Sequence, residues 1–353
     1  MAKKKRLLLY GSYGFTGNLI AEAVSGSGID AILSGRDEKK LKAQAEKLNL
    51  PYIKASLHSA VELDSALSDA ELVLHCAGPF IHTWKPMAEA CLRNNCHYLD
   101  ITGEIEVFEA LKGLDASFKE KNLMAMPGTG FDVVPTDCMS AYLKQNMPDA
   151  THLELAFRGL GGGVSRGTAK TMVENFGEGS VIRKNGKLKK VSSGSITRTI
   201  PFTEKPQNGV AIPWGDLSTA FYTTGIDNII VYVALPDKVV SKMKWMKWFN
   251  PVLRLGWVKR FAKNRIEKRP AGPTDEQRRT GSSVIWGEVR NHLGEIKHAE
   301  IATKEGYQLT ADISLIIAKK VMNGDFKPGF STPASCYGHE LIFELGGSEW
   351  LKK

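Results

Sequence analysis

The chain has 353 residues, 42% of them hydrophobic and 24% charged, which is long and apolar enough to bury two cores and excludes a disordered or fibrous protein. Five cysteines (76, 91, 96, 138 and 336) form neither a disulfide framework nor a set of four metal ligands, and no apolar stretch is long enough to span a membrane. The basic start at Lys3, Lys4, Lys5 and Arg6 leads into too short an apolar run for a secretory leader, so a reduced, metal-free, cytoplasmic protein is expected.

The chain opens on a strand-turn-helix pattern. Leu7, Leu8, Leu9 and Tyr10 run into Gly11, Ser12, Tyr13, Gly14, Phe15, Thr16 and Gly17, and an amphipathic helix follows. Glycines three apart let the backbone turn sharply off a strand and approach a pyrophosphate, whose charge then meets the free N–H groups of the new helix. The spacing is G-x-x-G-x-x-G, a common triplet in a chain with 34 glycines, so the flanking elements carry the assignment.

Those elements alternate. A second strand is expected over 29–34, a helix over 38–48 capped by Asp37, a strand over 71–76, a helix over 83–94 and a strand over 98–100. Such alternation predicts an α/β fold with a Rossmann-type, doubly wound parallel sheet over 1–148. Ligands bind beyond the carboxyl ends of such strands, which selects residues 11–17, 34–37, Ala77, Gly78, Pro79 and Phe80, and 100–104. At the end of the second strand stands Arg36, where an NAD enzyme would carry an acid. A guanidinium there suits the 2′-phosphate of NADP, supported by Lys39 and Lys40, so NADP is expected over NAD. Asp37 has two readings, helix cap or ribose acid.

A second α+β domain with a mixed or antiparallel sheet is expected over 149–305, with 306–353 returning to the first domain. Within it, the strand-like 153–157 leads into a glycine-rich loop and a helical pattern over 169–176. Ser165, Arg166 and Thr168 at that helix start either hold a substrate carboxylate or phosphate or cap the helix. The net charge of +9 is local: residues 242–269 hold ten Lys or Arg against Glu267 alone, so the remainder nets to zero. The segment also carries Trp245, Trp248, Phe249, Trp257 and Phe261, and Asn250 with Pro251 reads as the start of one helix. Leu253, Trp257, Val258, Phe261, Ala262 and Ile266 fall on one face, with the basic residues mostly elsewhere. That face either rests on an anionic membrane or docks on the domain body. No base-reading motif is present, so nucleic acid is not an expected partner. A turn and a charged helix start follow over 272–279.

Several blocks together resemble one family: GSYGFTG at 11–17, CAGPF at 76–80, HYLDITGE at 97–104, PGTGFDVVPTD at 127–137, GYQLT at 306–310 and GFSTPASCYG at 329–338. They resemble the saccharopine dehydrogenase-like oxidoreductases, and the ordered series spans nearly the whole chain. The resemblance implies an NADP-binding domain, a mixed-sheet second domain and a C-terminal segment returning to the first. It includes saccharopine reductases, acting on a C=N bond, and trans-acting enoyl reductases of complex-lipid synthesis, acting on C=C. The aromatic basic segment leans toward the second group.

Hydride transfer needs a proton partner. None of the nine tyrosines has Lys four residues later, which removes the short-chain dehydrogenase pair. The candidates are Asp100, Glu104 and Asp132, with Thr102 beside them. Two function classes follow. One is an NADP-dependent reductase of an enoyl or imine bond in a hydrophobic or lipid-linked substrate. The other is a catalytically silent NADP-binding protein at a membrane or in a lipid-synthesis complex. The remaining partner expectations are peripheral contact with a cytoplasmic membrane face and a homodimer.

Overall fold

The computed structural model describes residues 6–174, 177–246 and 250–353, with side chains described outside 242–251. The chain forms two compact units, Met1–Asp132 with Tyr307–Cys336, and Val133–Gly306 with Tyr337–Lys353.

The first unit is built on six strands taken in chain order: β1 (Leu7–Tyr10), β2 (Ala31–Gly35), β3 (Tyr52–Lys54), β4 (Leu72–His75), β5 (His97–Asp100) and β6 (Met124–Met126). With the short strand Gly329–Phe330 they order as Gly329–Phe330, β6, β5, β4, β1, β2, β3, all parallel. Leu7, Leu8 and Leu9 are wholly buried, as expected of a strand covered on both faces, and this explains the unbroken apolar run. β1 pairs with both β2 and β4, so the chain order reverses beside it and the glycine turn lies at the switch point where such sheets take ligands. The expected helix over 38–48 is observed at those bounds, and Asp37 accepts from the Lys40 N–H.

The second unit carries β7 (His152–Leu160), β8 (Ser180–Lys184), β9 (Lys187–Val191), β10 (Thr197–Ile200), β11 (Gln207–Ala211), β12 (Asn228–Ala234), β13 (Ser282–Arg290) and β14 (Ile296–Lys304). After β15, the Gly329–Phe330 strand of the first unit, the chain ends on β16 (Glu349–Lys352). The sheet order is β10, β11, β12, β7, β13, β14, β16, with β8 joining β12 and β9 pairing β8. It is mixed: β12 and β7 are parallel, the other pairs antiparallel. One core holds Trp286, Ala156, Tyr232, Ile200 and Phe202. The helix Val134–Asn146 covers β13 so closely that a Cβ on Gly287 would lie 2.6 Å from Met139 Cγ.

That helix moves the expected domain boundary. The first unit ends at Asp132 rather than at residue 148, because the helix buries its side chains on the second sheet. The C-terminal segment also divides: Tyr307–Cys336 belongs to the first unit, whereas Tyr337–Lys353 stays with the second, where β16 pairs with β14.

The basic segment departs from the single expected helix. Asn250–Leu253 and Gly256–Glu267 are separate helices, divided by Leu255 in extended conformation at the second N-cap. The shared apolar face is split as well. Ala262 and Ile266 pack on Ala169 and Val173, while Trp257 and Phe261 point to solvent. Of the expected aromatic residues, Trp248 and Phe249 lie outside the described residues, and the Trp245 side chain outside the described side chains. The helix expected over 169–176 runs from Arg166 to Glu174, and Phe176 too lies outside the described residues.

Candidate functional site

β1 delivers the chain to Gly11, whose φ of +80° lies where a side chain is strained. The Gly11 N–H donates to the Ser34 carbonyl at 2.8 Å, and the Gly14 N–H returns to the Gly11 carbonyl at 3.0 Å, closing the turn. A Cβ on Gly11 would meet Ala77 at 2.9 Å, and one on Gly17 would lie 2.2 Å from the Gly11 carbonyl oxygen. The spacing is therefore demanded by backbone packing. Gly14 is the N-cap of the helix Phe15–Ser25 and offers no side-chain acceptor, so no capping side chain covers the helix start, which favours an anion.

Two side chains hold this turn: Gln44, which the sequence pattern did not single out, and Tyr13 of the glycine motif itself. Gln44, buried in the second helix, accepts from the Ser12 hydroxyl at 2.7 Å and donates to the Ser12 carbonyl at 2.8 Å and to Asn18 Oδ1 at 2.9 Å. The Ser12 hydroxyl thus braces the turn from inside. Tyr13 does the same toward β2: its hydroxyl accepts from the N–H groups of Arg36 at 3.2 Å and Asp37 at 3.1 Å. Its ring lies against Gly35, where a Cβ would sit 2.6 Å away. Asp37 takes the cap reading, since its carboxylate accepts from Lys40 N–H at 3.2 Å and is held below the usual carboxylate range by that bond. Arg36 is exposed, and no ion pair engages it among the described residues. A helix start without a capping side chain, a cradle that any side chain would fill and an exposed guanidinium at the end of β2 together fit a dinucleotide with a 2′-phosphate.

The loops after β4, β5 and β6 hold the acids. Ala77, Gly78, Pro79 and Phe80 follow β4, and Thr83 donates to the Ala77 carbonyl at 2.7 Å. Glu104 pins this loop from the neighbouring strand end, accepting from the N–H groups of Phe80 at 2.8 Å and Ile81 at 2.7 Å. Burial pushes the Glu104 carboxyl up, against the pull of those bonds. Asp100, fully buried, accepts from Tyr98 Oη at 2.7 Å, Thr102 N–H at 2.9 Å and Gly128 N–H at 2.9 Å. Burial raises it to about 7 despite those donors. Asp132 is partly exposed, and its carboxyl, drawn away from water and facing Glu104, is also raised to about 7.

The structure brings these acids together. A Cβ on Gly103 would lie 3.0 Å from Asp132 Oδ2, and the charge of Glu104 bears on both aspartates. The 130–132 loop is set by the helix Gly306–Met322, where Thr310 Oγ1 accepts from the Phe131 N–H at 2.9 Å, and Tyr307 meets Phe15 edge-on at 5.1 Å. His75, at the end of β4, is the remaining group that sequence reading missed. It is buried, its Nε2 lies 3.0 Å from Thr83 Oγ1, and burial lowers it to about 3, so it stays neutral. The signal for Thr310 was its place in the GYQLT block; nothing local marked Gln44 or His75.

Ser165, Arg166 and Thr168 belong to the second unit. Ser165 Oγ accepts from the Thr168 N–H at 3.2 Å, which is the capping geometry, and Arg166 lies 3.7 Å from Glu267 Oε2.

Comparison with known proteins agrees with this reading of the first unit. The family model described as the saccharopine dehydrogenase NADP binding domain matches residues 7–126. A saccharopine dehydrogenase-like oxidoreductase of Mus musculus is 27% identical over 57% of this chain and 52% of its own length. The chain therefore spans about half of that relative. A lipid droplet localized protein of Caenorhabditis elegans is 22% identical over 96% of this chain and 95% of its own. A protein of Mycobacterium tuberculosis provisionally named a trans-acting enoyl reductase is 28% identical over 48% of this chain and 43% of its own. Among solved structures, saccharopine dehydrogenase (L-Glu forming) from Saccharomyces cerevisiae superposes with a TM-score of 0.69 at 13% identity, covering 99% of both chains. That likeness establishes the shared fold.

Proposed function

Since the chain is a homologue of the saccharopine dehydrogenase-like oxidoreductases and carries their NADP-binding domain, we propose that it reduces an enoyl C=C or an imine C=N bond of a hydrophobic or lipid-linked substrate with NADPH. The observation that carries this is the raised carboxyl of Asp132, in the loop beyond β6 at the same end of the sheet as the glycine turn. A bound NADPH supplies the hydride. The helix start after Gly14 and the Arg36 guanidinium would hold its phosphates, and the 77–80 loop, fixed by Glu104, would form a further wall of the site.

The proton falls to Asp132 on this reading. Its carboxyl, at about 7, is half protonated near neutrality, the condition that best suits a general acid. Asp100 turns both carboxyl oxygens toward three protein donors and is sealed from solvent, so it braces the ends of β5 and β6. The lipid direction is supported by the names of two relatives, one a lipid droplet protein and one an enoyl reductase. A second reading, NADP binding without turnover, is favoured by the structural use of Asp100 and Glu104 as acceptors for backbone groups.

The two separate in one experiment. NADPH binding is followed by fluorescence, then NADPH oxidation against a panel of enoyl thioesters and imines. Turnover that is lost in Asp132→Asn with NADPH binding retained is the expected result. Binding without turnover on the whole panel overturns the reductase reading in favour of the silent one.

A further inference from the structure

We infer that the outward side of the helix Gly256–Glu267 docks on an anionic phospholipid surface. The helix is held to its own unit by the inward side. Ala262 and Ile266 are packed on Ala169 and Val173, Lys259 Nζ donates to the Glu174 carbonyl at 2.6 Å, and Lys263 pairs with the Glu174 carboxylate. Arg254 is likewise engaged, donating to the Gly177 carbonyl at 2.9 Å. Those contacts consume Ala262, Ile266 and three of the cations.

The large apolar residues are left outside. Trp257 is 67% exposed and Phe261 60%, with Val252 and Leu255 at 46% and 45% just before them. Residues 257, 260, 261, 264, 265 and 268 recur at helical spacing on that side, so Arg260, Arg265 and Lys268, all exposed, flank the two rings. The Arg265 guanidinium lies 5.9 Å from the Phe261 ring centroid. No ion pair engages Arg260, Lys268 or Arg269 among the described residues.

An aromatic pair ringed by unspent cations matches the boundary of a lipid layer, where rings enter the acyl edge and Lys and Arg meet phosphates. Charge favours lipid over a second copy of the chain. Outside 242–269 the protein nets to zero, so another copy offers no opposing net field. No helix among the described residues is long and apolar enough to cross a membrane, and the proposed contact needs none.

The test is co-sedimentation of the full chain with vesicles of phosphatidylcholine alone and of phosphatidylcholine mixed with phosphatidylglycerol. Binding is expected to the mixed vesicles only, weakening as salt is raised. The double variant Trp257→Ala with Phe261→Ala should partition about tenfold more weakly or worse, and Arg260→Glu with Arg265→Glu should not bind. Both pairs are exposed, so the thermal midpoint and NADPH binding should match the parent. Equal binding to both vesicles, binding to neither, or parental binding by the aromatic variant overturns the inference. Loss of a dimer in that variant without vesicle binding assigns the face to a second copy instead.

Discussion

Gly17 and Gly11 are in such close apposition that the Gly17 Cα hydrogen faces the Gly11 carbonyl oxygen, and a methyl group placed there would lie 2.2 Å from it. Neither partner can yield, because Gly11 is itself fixed by its bond to Ser34. Gly17→Ala is therefore expected to cost about 1–3 kcal/mol of stability and to weaken NADPH binding severalfold by opening the turn. Gly26, at the far end of the same helix with nothing within 4 Å of a Cβ, is the control. Thermal unfolding and fluorescence titration of Gly17→Ala and Gly26→Ala check the contrast.

Arg36 offers an exposed guanidinium beside the end of β2, its backbone fixed by Tyr13. Removing one charge-assisted contact to a phosphate corresponds to a loss on the order of ten- to a hundredfold in affinity. Arg36→Ala should show that loss for NADPH and leave NADH binding nearly unchanged. Equal losses for the two nucleotides would place the guanidinium away from the 2′-phosphate.

Asp132 makes stability depend on pH. Its folded pKa, about 7, is raised above the ordinary 3.8, so the folded state binds the proton more tightly than the unfolded one. The stability this group contributes is fully present below 3.8 and is lost as pH rises through about 7. Asp100 acts in the same direction. Urea unfolding at about pH 5 and about pH 8 should therefore show a smaller stability difference in Asp132→Asn than in the parent. In the proposed reaction the rate falls above about pH 7 as the Asp132 acid ionises, whereas NADPH binding does not.

Glu104 ties the end of β5 to the loop after β4 through two backbone N–H groups. Glu104→Gln keeps one acceptor oxygen and turns an amide donor toward the other N–H. The expected cost is about 1–3 kcal/mol, read as a lower thermal midpoint, together with weaker NADPH binding as residues 79–81 loosen. Glu104→Asp, too short to reach both groups, should behave similarly.

Much of the first unit was legible because its signals are local. The apolar run of β1, the glycines of the turn, Asp37 ahead of the helix Glu38–Leu48, and the acids at strand ends each depend on neighbours within a few residues. The lean toward NADP came from one residue, Arg36, at a fixed distance along the chain. The break at Leu255 was less visible, because Asn250 and Pro251 start a helix as well as Gly256 does. The fold around them decides that both are used.

The sequence by itself determined the parallel nucleotide-binding sheet, the glycine turn and the acids to watch, since backbone conformation and strand burial follow from short-range pattern. Only the tertiary structure decided which groups those acids meet. It brought Gln44 under Ser12, Thr310 under Phe131, and Asp132 to Gly103, contacts that join residues 29 to 179 positions apart in the chain. It also decided that Ala262 and Ile266 turn inward while Trp257 and Phe261 remain in water. A helical pattern marks one apolar stripe, but which part of the stripe is covered depends on the width of the partner helix Arg166–Glu174.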